Sequence, residues 1–173
     1  GGTFDRLIQQ GHDVHVAYQT SGSTAVWDDY VLEIFDLNNN IAKVLSKNSR
    51  FLESINKHSQ KIKNYIENEI DFEGFQILNQ IKSSIRKSEA YQACKFLGLN
   101  KKNNIHYLEM PFYQKGVKKR TDISSTDISL VEKLIKKIKP HQIFAAGDLS
   151  DPHGTHRLCL RALYRAINNL KNL

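Results

Sequence analysis

The chain has 173 residues, with 25 Lys and Arg against 18 Asp and Glu, a formal net charge of +7 and 40% hydrophobic residues. That is the balance of an ordinary globular domain and argues against a mostly disordered chain. No apolar run approaches the roughly 18 residues a membrane helix needs, so no membrane partner is expected. The length suits one domain.

The first residues show no basic-then-apolar leader, and the two cysteines, Cys94 and Cys159, have no second cysteine at metal-ligand spacing. Together these give the expectation of a reducing, cytoplasmic setting with buried thiols. The chain opens on Gly1-Gly2 without a methionine, which reads as a fragment of a longer protein. Charge is unevenly placed: residues 1–80 carry 7 basic and 11 acidic side chains, and residues 81–173 carry 18 and 7. A basic half can attract nucleic acid, an anionic surface or a phosphorylated small molecule. Here the excess falls on helix faces (Lys133, Lys136, Lys137, Lys139) and in the run Lys115–Arg120, without the interleaved aromatics of a base-stacking platform. A solvated face is the plainer reading, and nucleic acid is not expected as a partner.

In chain order, Phe4, Leu7 and Ile8 share a helical face that Gly11 closes. Val14, Val16 and Tyr18 alternate with polar or small residues and run into Thr20-Ser21-Gly22-Ser23, a strand followed by a small-residue loop. Helix, glycine, strand and loop form the second half of a βαβ unit whose first strand is expected upstream of Gly1. Residues 27 to about 70 carry helical periodicity, with Trp27 expected in the core, an interruption at Asn38-Asn39-Asn40 and a stop over Asp71–Gly74. This segment is expected to be a helical insertion. A helix over about Phe75–Leu97 closes at Gly98, and a second strand runs from Ile105 through Met110 to Pro111. A basic loop then leads to a helix carrying Ile128, Val131, Leu134, Ile135 and Ile138, stopped before Pro140. Ile143–Gly147 reads as a compact apolar strand, buried on both faces if parallel. A last helix from Pro152 buries Cys159, Leu163, Ala166, Ile167 and Leu170. The alternation predicts an α/β fold with a parallel sheet, whose ligands bind beyond the carboxyl ends of the strands.

Two loops fall at those ends, Thr20–Thr24 and Asp148–His156. In the second, His153 and His156 are three residues apart, and on a helix's first turns both would lie near the strand end. Imidazoles there can ligate zinc, polarise a carbonyl or shuttle protons. Asp151 as an N-cap and Pro152 as a first helical residue need no function, and capping alone does not account for two histidines. Arg86 and Glu89 form an (i, i+3) pair, either a surface ion pair or an arginine directed at an anionic substrate group. The remaining histidines, His12, His15, His58, His106 and His141, have no partner at ligand spacing in sequence and read as structural or exposed.

Taken together, Gly1-Gly2 opening a helix, the strand ending in Thr20-Ser21-Gly22, the Arg86-Lys87-Ser88-Glu89-Ala90…Leu97-Gly98 helix and Asp151-Pro152-His153-Gly154-Thr155-His156 resemble the PIG-L/LmbE-type zinc deacetylases. The run from His141 to Asp148 leading into that last motif looks like the deacetylase-like domain fused to bacterial glucosamine-6-phosphate deaminases. The resemblance implies a Rossmann-like three-layer fold with a mostly parallel sheet, here a single incomplete domain over 1–173 that lacks its first strand. It implies a cytoplasmic domain that removes an N-acyl group from an N-acetylglucosamine-type sugar with a zinc-bound water. The partners it implies are an amino sugar or sugar phosphate and a deaminase domain in the same chain, with homo-oligomerisation left open. Carried over by motif, His156 is a zinc ligand and His153 an oxyanion stabiliser or acid, while Arg86, Thr20 and Gly22 contact substrate. The family's Pro-His-Pro-Asp-Asp run occurs nowhere in these residues, and Gly154-Thr155 replaces the usual Pro-Asp between the histidines. The other zinc ligands are therefore expected upstream of Gly1, and these residues alone are expected to bind zinc weakly, lack deacetylase activity and unfold with reduced cooperativity. The alternative is a degenerate, non-catalytic sugar-phosphate-binding or regulatory domain. The roles of Asp148 and Asp151 stay open.

Overall fold

A computed structural model describes residues 2–45, 49–115, 121–146, 150 and 152–171. Seven α-helices and one small parallel sheet make up the described residues, an α/β arrangement in which helix predominates. The chain divides into two compact units: residues 1–21 with 94–173, and residues 22–93.

The first unit contains the sheet. Helix α1 (Gly2–Gln9) ends in a turn at Gly11, and β1 (Val16–Tyr18) follows. It pairs in parallel with β2 (Ile105–Tyr107) in the register Val16 to Ile105, Ala17 to His106 and Tyr18 to Tyr107. The Tyr18 and Tyr107 rings stack 5.5 Å apart across this pair, adding to the pairing as aromatic cross-strand neighbours do. Backbone bonds from Leu108 N–H to the Tyr18 carbonyl and from Met110 N–H to the Gln19 carbonyl carry the pairing past the formal strand ends.

The core of this unit is closed by helices. Helices α5 (Pro111–Lys115), α6 (Ser125–Ile138) and α7 (Thr155–Lys171) bury Met110, Phe112, Ile123, Val131, Ala162, Leu163 and Ala166. Leu158, Cys159 and Ile167 pack against them, half-buried. The periodic helix expected from Ile128 to Ile138 is present and starts a turn earlier, because Ser124-Ser125-Thr126-Asp127 is a capping box. Asp127 is fully buried: its carboxylate accepts from Ser124 N–H at 2.7 Å and from Phe112 N–H at 3.0 Å, joining α5 to the start of α6.

The second unit is helical. A 3-10 turn (Ser23–Ala25) leads into α2 (Asp28–Leu45), α3 (Ser49–Asn68) and α4 (Phe72–Phe96), whose last residues belong to the first unit. Val26, Val31, Ile62 and Leu78 form its buried core, with Phe35, Tyr65, Ile81 and Ile85 packed against them. Gly74 lies inside α4 rather than in the break before it, because the two backbones meet there. A Cβ on Gly74 would collide with the Lys61 carbonyl of α3, so only glycine allows this approach. At its carboxyl end α4 closes at Gly98, in a left-handed conformation (φ +88), with Leu99 N–H bonded to the Cys94 carbonyl.

Several expectations are corrected here. Asn38–Asn40 does not interrupt α2, since Asn39 donates its side-chain amide to Asn56 of α3 at 2.8 Å and so stays helical. The helical unit spans 22–93, wider than 27–70. The second strand stops at Tyr107, short of Pro111. Trp27 is not a core residue but is 81% exposed. Residues 142–146 form no strand, and Ile143 and Phe144 are exposed rather than buried. An isolated apolar run has no ladder to join, and the two-stranded sheet does not include it. The parallel pair and its helices bear out the coarser α/β expectation among the described residues. Gly147, Asp148, Asp151 and the basic stretch 116–120 lie outside them. Among the described residues no helix is long and apolar enough to cross a membrane.

Candidate functional site

At the carboxyl end of β1 the chain bends through Thr20, half-buried, and Ser21, buried. Gly22 follows in the left-handed region (φ +67), the conformation that turns the chain into the 3-10 helix. A Cβ on Gly22 would come 3.2 Å from Nε of Arg86, so the guanidinium of α4 lies against the Gly22 backbone. Arg86 is also bonded to the Glu89 carboxylate one turn along. Both charges are about half exposed, at 44% and 52%, so the pair is a solvent-screened one. Of the residues singled out in the sequence, Gly22 and Arg86 are brought together. The arrangement offers a planar, permanently charged donor fork beside the Gly22 backbone.

His153 and His156 are placed differently from the expectation. α7 begins at Thr155, with Leu158 N–H bonded to the Gly154 carbonyl. Pro152 and His153 therefore occupy a turn rather than the helix, and Gly154 (φ +72) separates that turn from His156 in the first turn of α7. The (i, i+3) helical relation does not hold, although both imidazoles are exposed. A catalytic zinc takes three protein ligands and a water. Among the described residues no group of three or more His, Cys, Asp and Glu side chains converges to hold a metal ion. The described residues thus hold no complete zinc site.

A second histidine pair was not legible in the sequence. Nδ1 of His15 and Nε2 of His106 are 2.9 Å apart, with the rings stacked at 5.3 Å. Ninety-one positions separate them, and only the parallel register of β1 and β2 brings them together. Burial, the neighbouring His15 and Lys137 on α6 all hold the His106 imidazole below its ordinary pKa. Asp13 lies 3.6 Å from the other nitrogen of His15, and it accepts a 2.9 Å bond from the Asn104 amide. That bond and Lys101 hold the Asp13 carboxyl below the usual carboxylate range. This cluster lies toward the amino ends of the strands, away from the loop at Thr20.

With this geometry in view, the relatives are informative. The PIG-L family model, described as GlcNAc-PI de-N-acetylase, matches residues 1–167. The chain is also 39% identical over 170 residues to a glucosamine-6-phosphate deaminase-like protein of Bacteroides thetaiotaomicron. That alignment covers 97% of this chain and 25% of the relative, so the chain spans about a quarter of the length of the curated relative it matches. No solved structure matches the chain significantly. Members of the matched family are typically zinc-dependent. A match across 1–167 takes in the Thr20–Gly22 loop, Arg86 and both His153 and His156: this chain belongs to the PIG-L family.

Proposed function

We propose that the chain is the deacetylase-like domain of an amino-sugar protein, acting on the N-acyl group of an N-acetylglucosamine-type sugar or its phosphate. The observation that carries this reading is the family match over residues 1–167. In this reading Arg86 binds an anionic or amide oxygen of the sugar, because a guanidinium presents paired donors to such oxygens. Thr20 offers a hydroxyl, and Gly22, lacking a side chain, lets the Arg86 guanidinium lie against the backbone. His156 is one zinc ligand and His153 stabilises the oxyanion or supplies a proton, with the remaining zinc ligands coming from outside the described residues. Zinc, once bound, supplies an activated water and polarises the acyl oxygen. The natural protein joins this domain to an amino-sugar deaminase domain in the cytoplasm.

A second reading draws on the relative, which is described as a glucosamine-6-phosphate deaminase-like protein and is covered by this chain over 25% of its length. The domain then binds a sugar phosphate without hydrolysing it and serves the deaminase as a regulatory module.

Calorimetric titration with N-acetylglucosamine 6-phosphate tests the binding that both readings share. Saturable binding that weakens about tenfold in Arg86→Ala, the order of one lost charge-assisted contact, is the expected result. Absence of binding, or equal binding by the variant, overturns the role given to Arg86.

A further inference from the structure

We propose that the exposed indole of Trp27, with Tyr30 one turn on, is a stacking platform for a pyranose ring of the amino-sugar ligand. This rests on the amino-sugar reading above and adds to it a binding subsite in the helical unit.

The backbone around Trp27 is held on both sides while its side chain is left outside. Val26, immediately before it, is 7% exposed and belongs to the core against which Ile81 and Ile85 of α4 pack. Asp28, immediately after it, is ion-paired with Lys82 of α4. Gly22, five residues earlier, lies against Arg86, which is one turn beyond Lys82 on the same helix. The arch from Gly22 to Asp28 is therefore fixed along the Ile81–Arg86 stretch of α4, and Trp27 is carried on that arch with 81% of its surface exposed. Tyr30 is 47% exposed.

An indole is among the largest apolar surfaces a side chain can offer, and burying it is strongly favourable. Trp27 contributes little of that surface to the fold, so its bulk is available to a ligand. Its π face carries partial negative charge. A pyranose presents a face of polarised C–H bonds and an edge of hydroxyl and amide groups. The first suits the indole, and the second suits the guanidinium donors carried on the same stretch of α4. The next exposed apolar side chains on α2 are Leu37, about 15 Å farther along the helix, and then the group Ile41, Val44 and Leu45. Trp27 is thus distinct from that patch and shares its anchoring with Arg86.

Trp27 is the sole tryptophan, so its fluorescence reports on this position alone. The experiment titrates N,N′-diacetylchitobiose into the chain, following tryptophan emission and heat in parallel, with Trp27→Ala, Trp27→Phe and Arg86→Ala alongside. The expected result is an emission change and acrylamide protection that saturate together with the heat. Affinity should fall at least fivefold in Trp27→Ala and recover most of that loss in Trp27→Phe. Far-UV circular dichroism should be unchanged in both, because the side chain is exposed. Heat of binding without any emission change, and with full affinity in Trp27→Ala, overturns the subsite while the amino-sugar reading stands. Absence of heat at millimolar sugar overturns both.

Discussion

In the α/β unit seven buried side chains between Met110 and Ala166 close one core around α5, α6 and α7. In the helical unit the buried cluster is Val26, Val31, Ile62 and Leu78. Most of the large exposed apolar side chains among the described residues, from Trp27 through Leu37, Val44 and Leu45 to Ile70 and Phe72, belong to the helical unit. The first unit therefore depends on buried volume and on a buried polar joint at Asp127. The second depends on a close backbone crossing at Gly74 and on ion pairs such as Lys82 with Asp28 and Lys61 with Glu73. A unit held by volume tolerates surface change, whereas one held by a backbone contact fails at a single position. The helical unit is also the one that leaves apolar surface for a ligand.

The sharpest way to break this contrast is Gly74→Ala. Alanine favours helix over glycine by about 1 kcal/mol, but its Cβ would meet the Lys61 carbonyl carbon at 2.7 Å and the oxygen closer still. The clash should win, with a net loss of about 3 kcal/mol. Amide exchange in α2 and α3 should speed up, while exchange in α6 and α7 stays slow. Unchanged melting would mean that the crossing is not what holds this unit.

Asp127→Ala should act on the other unit, with a loss of about 2 kcal/mol from the cap and the Phe112 bond. Burial alone would raise the pKa of this carboxyl, but hydrogen bonds from Ser124 and Phe112 outweigh it and hold the value down. The stabilisation is therefore present above the unfolded carboxyl pKa of about 3.9 and is lost as pH falls through the lower folded value. Denaturant titrations of wild type and variant should converge in strong acid and differ at neutral pH. A constant difference would remove the carboxylate from the account.

The His15–His106 pair predicts a gentler acid response in the α/β unit. Burial, His15 and Lys137 lower the His106 pKa, so the unfolded chain takes up protons first. Stability is then full above the unfolded histidine pKa of about 6.5 and declines as pH falls toward the lower folded value. Asp13 and Lys101 flank the pair. His106→Gln should flatten the pH 7.5 to 5 profile of the melting temperature, and an unaltered slope would assign the effect elsewhere. The smallest effect belongs to Glu89→Gln, about 0.2–0.5 kcal/mol for an exposed (i, i+3) pair. A larger loss in thermal melts would show that Glu89 holds Arg86 in place.

How much of this was legible depends on whether a signal is local. The apolar stripe of α6 and the glycines after α1 and α4 act within a few residues, and the corresponding elements are present, whereas the Ser124–Asp127 cap went unread and α6 starts a turn earlier than expected. Ile143–Ala146 has a strand's composition, but a strand exists only with a partner, and this segment remains unpaired. Trp27 read as core because tryptophan is usually buried on average, and only its anchored, outward arch shows otherwise. Gly22 and Arg86 were each visible as family positions, but their contact needed α4 to pack beside the loop. The His15–His106 pair depends entirely on strand register.

On the proposed function, this family member binds and deacylates an amino sugar. Acetate release from N-acetylglucosamine 6-phosphate by the zinc-loaded protein in its natural length, compared with His156→Ala and Arg86→Ala, tests it most directly. Release by the wild type, loss of at least a hundredfold together with weaker zinc retention in His156→Ala, and weaker substrate binding in Arg86→Ala are the expected results. Acetate release and zinc retention that survive His156→Ala, or tight sugar binding with no release at all, would contradict it.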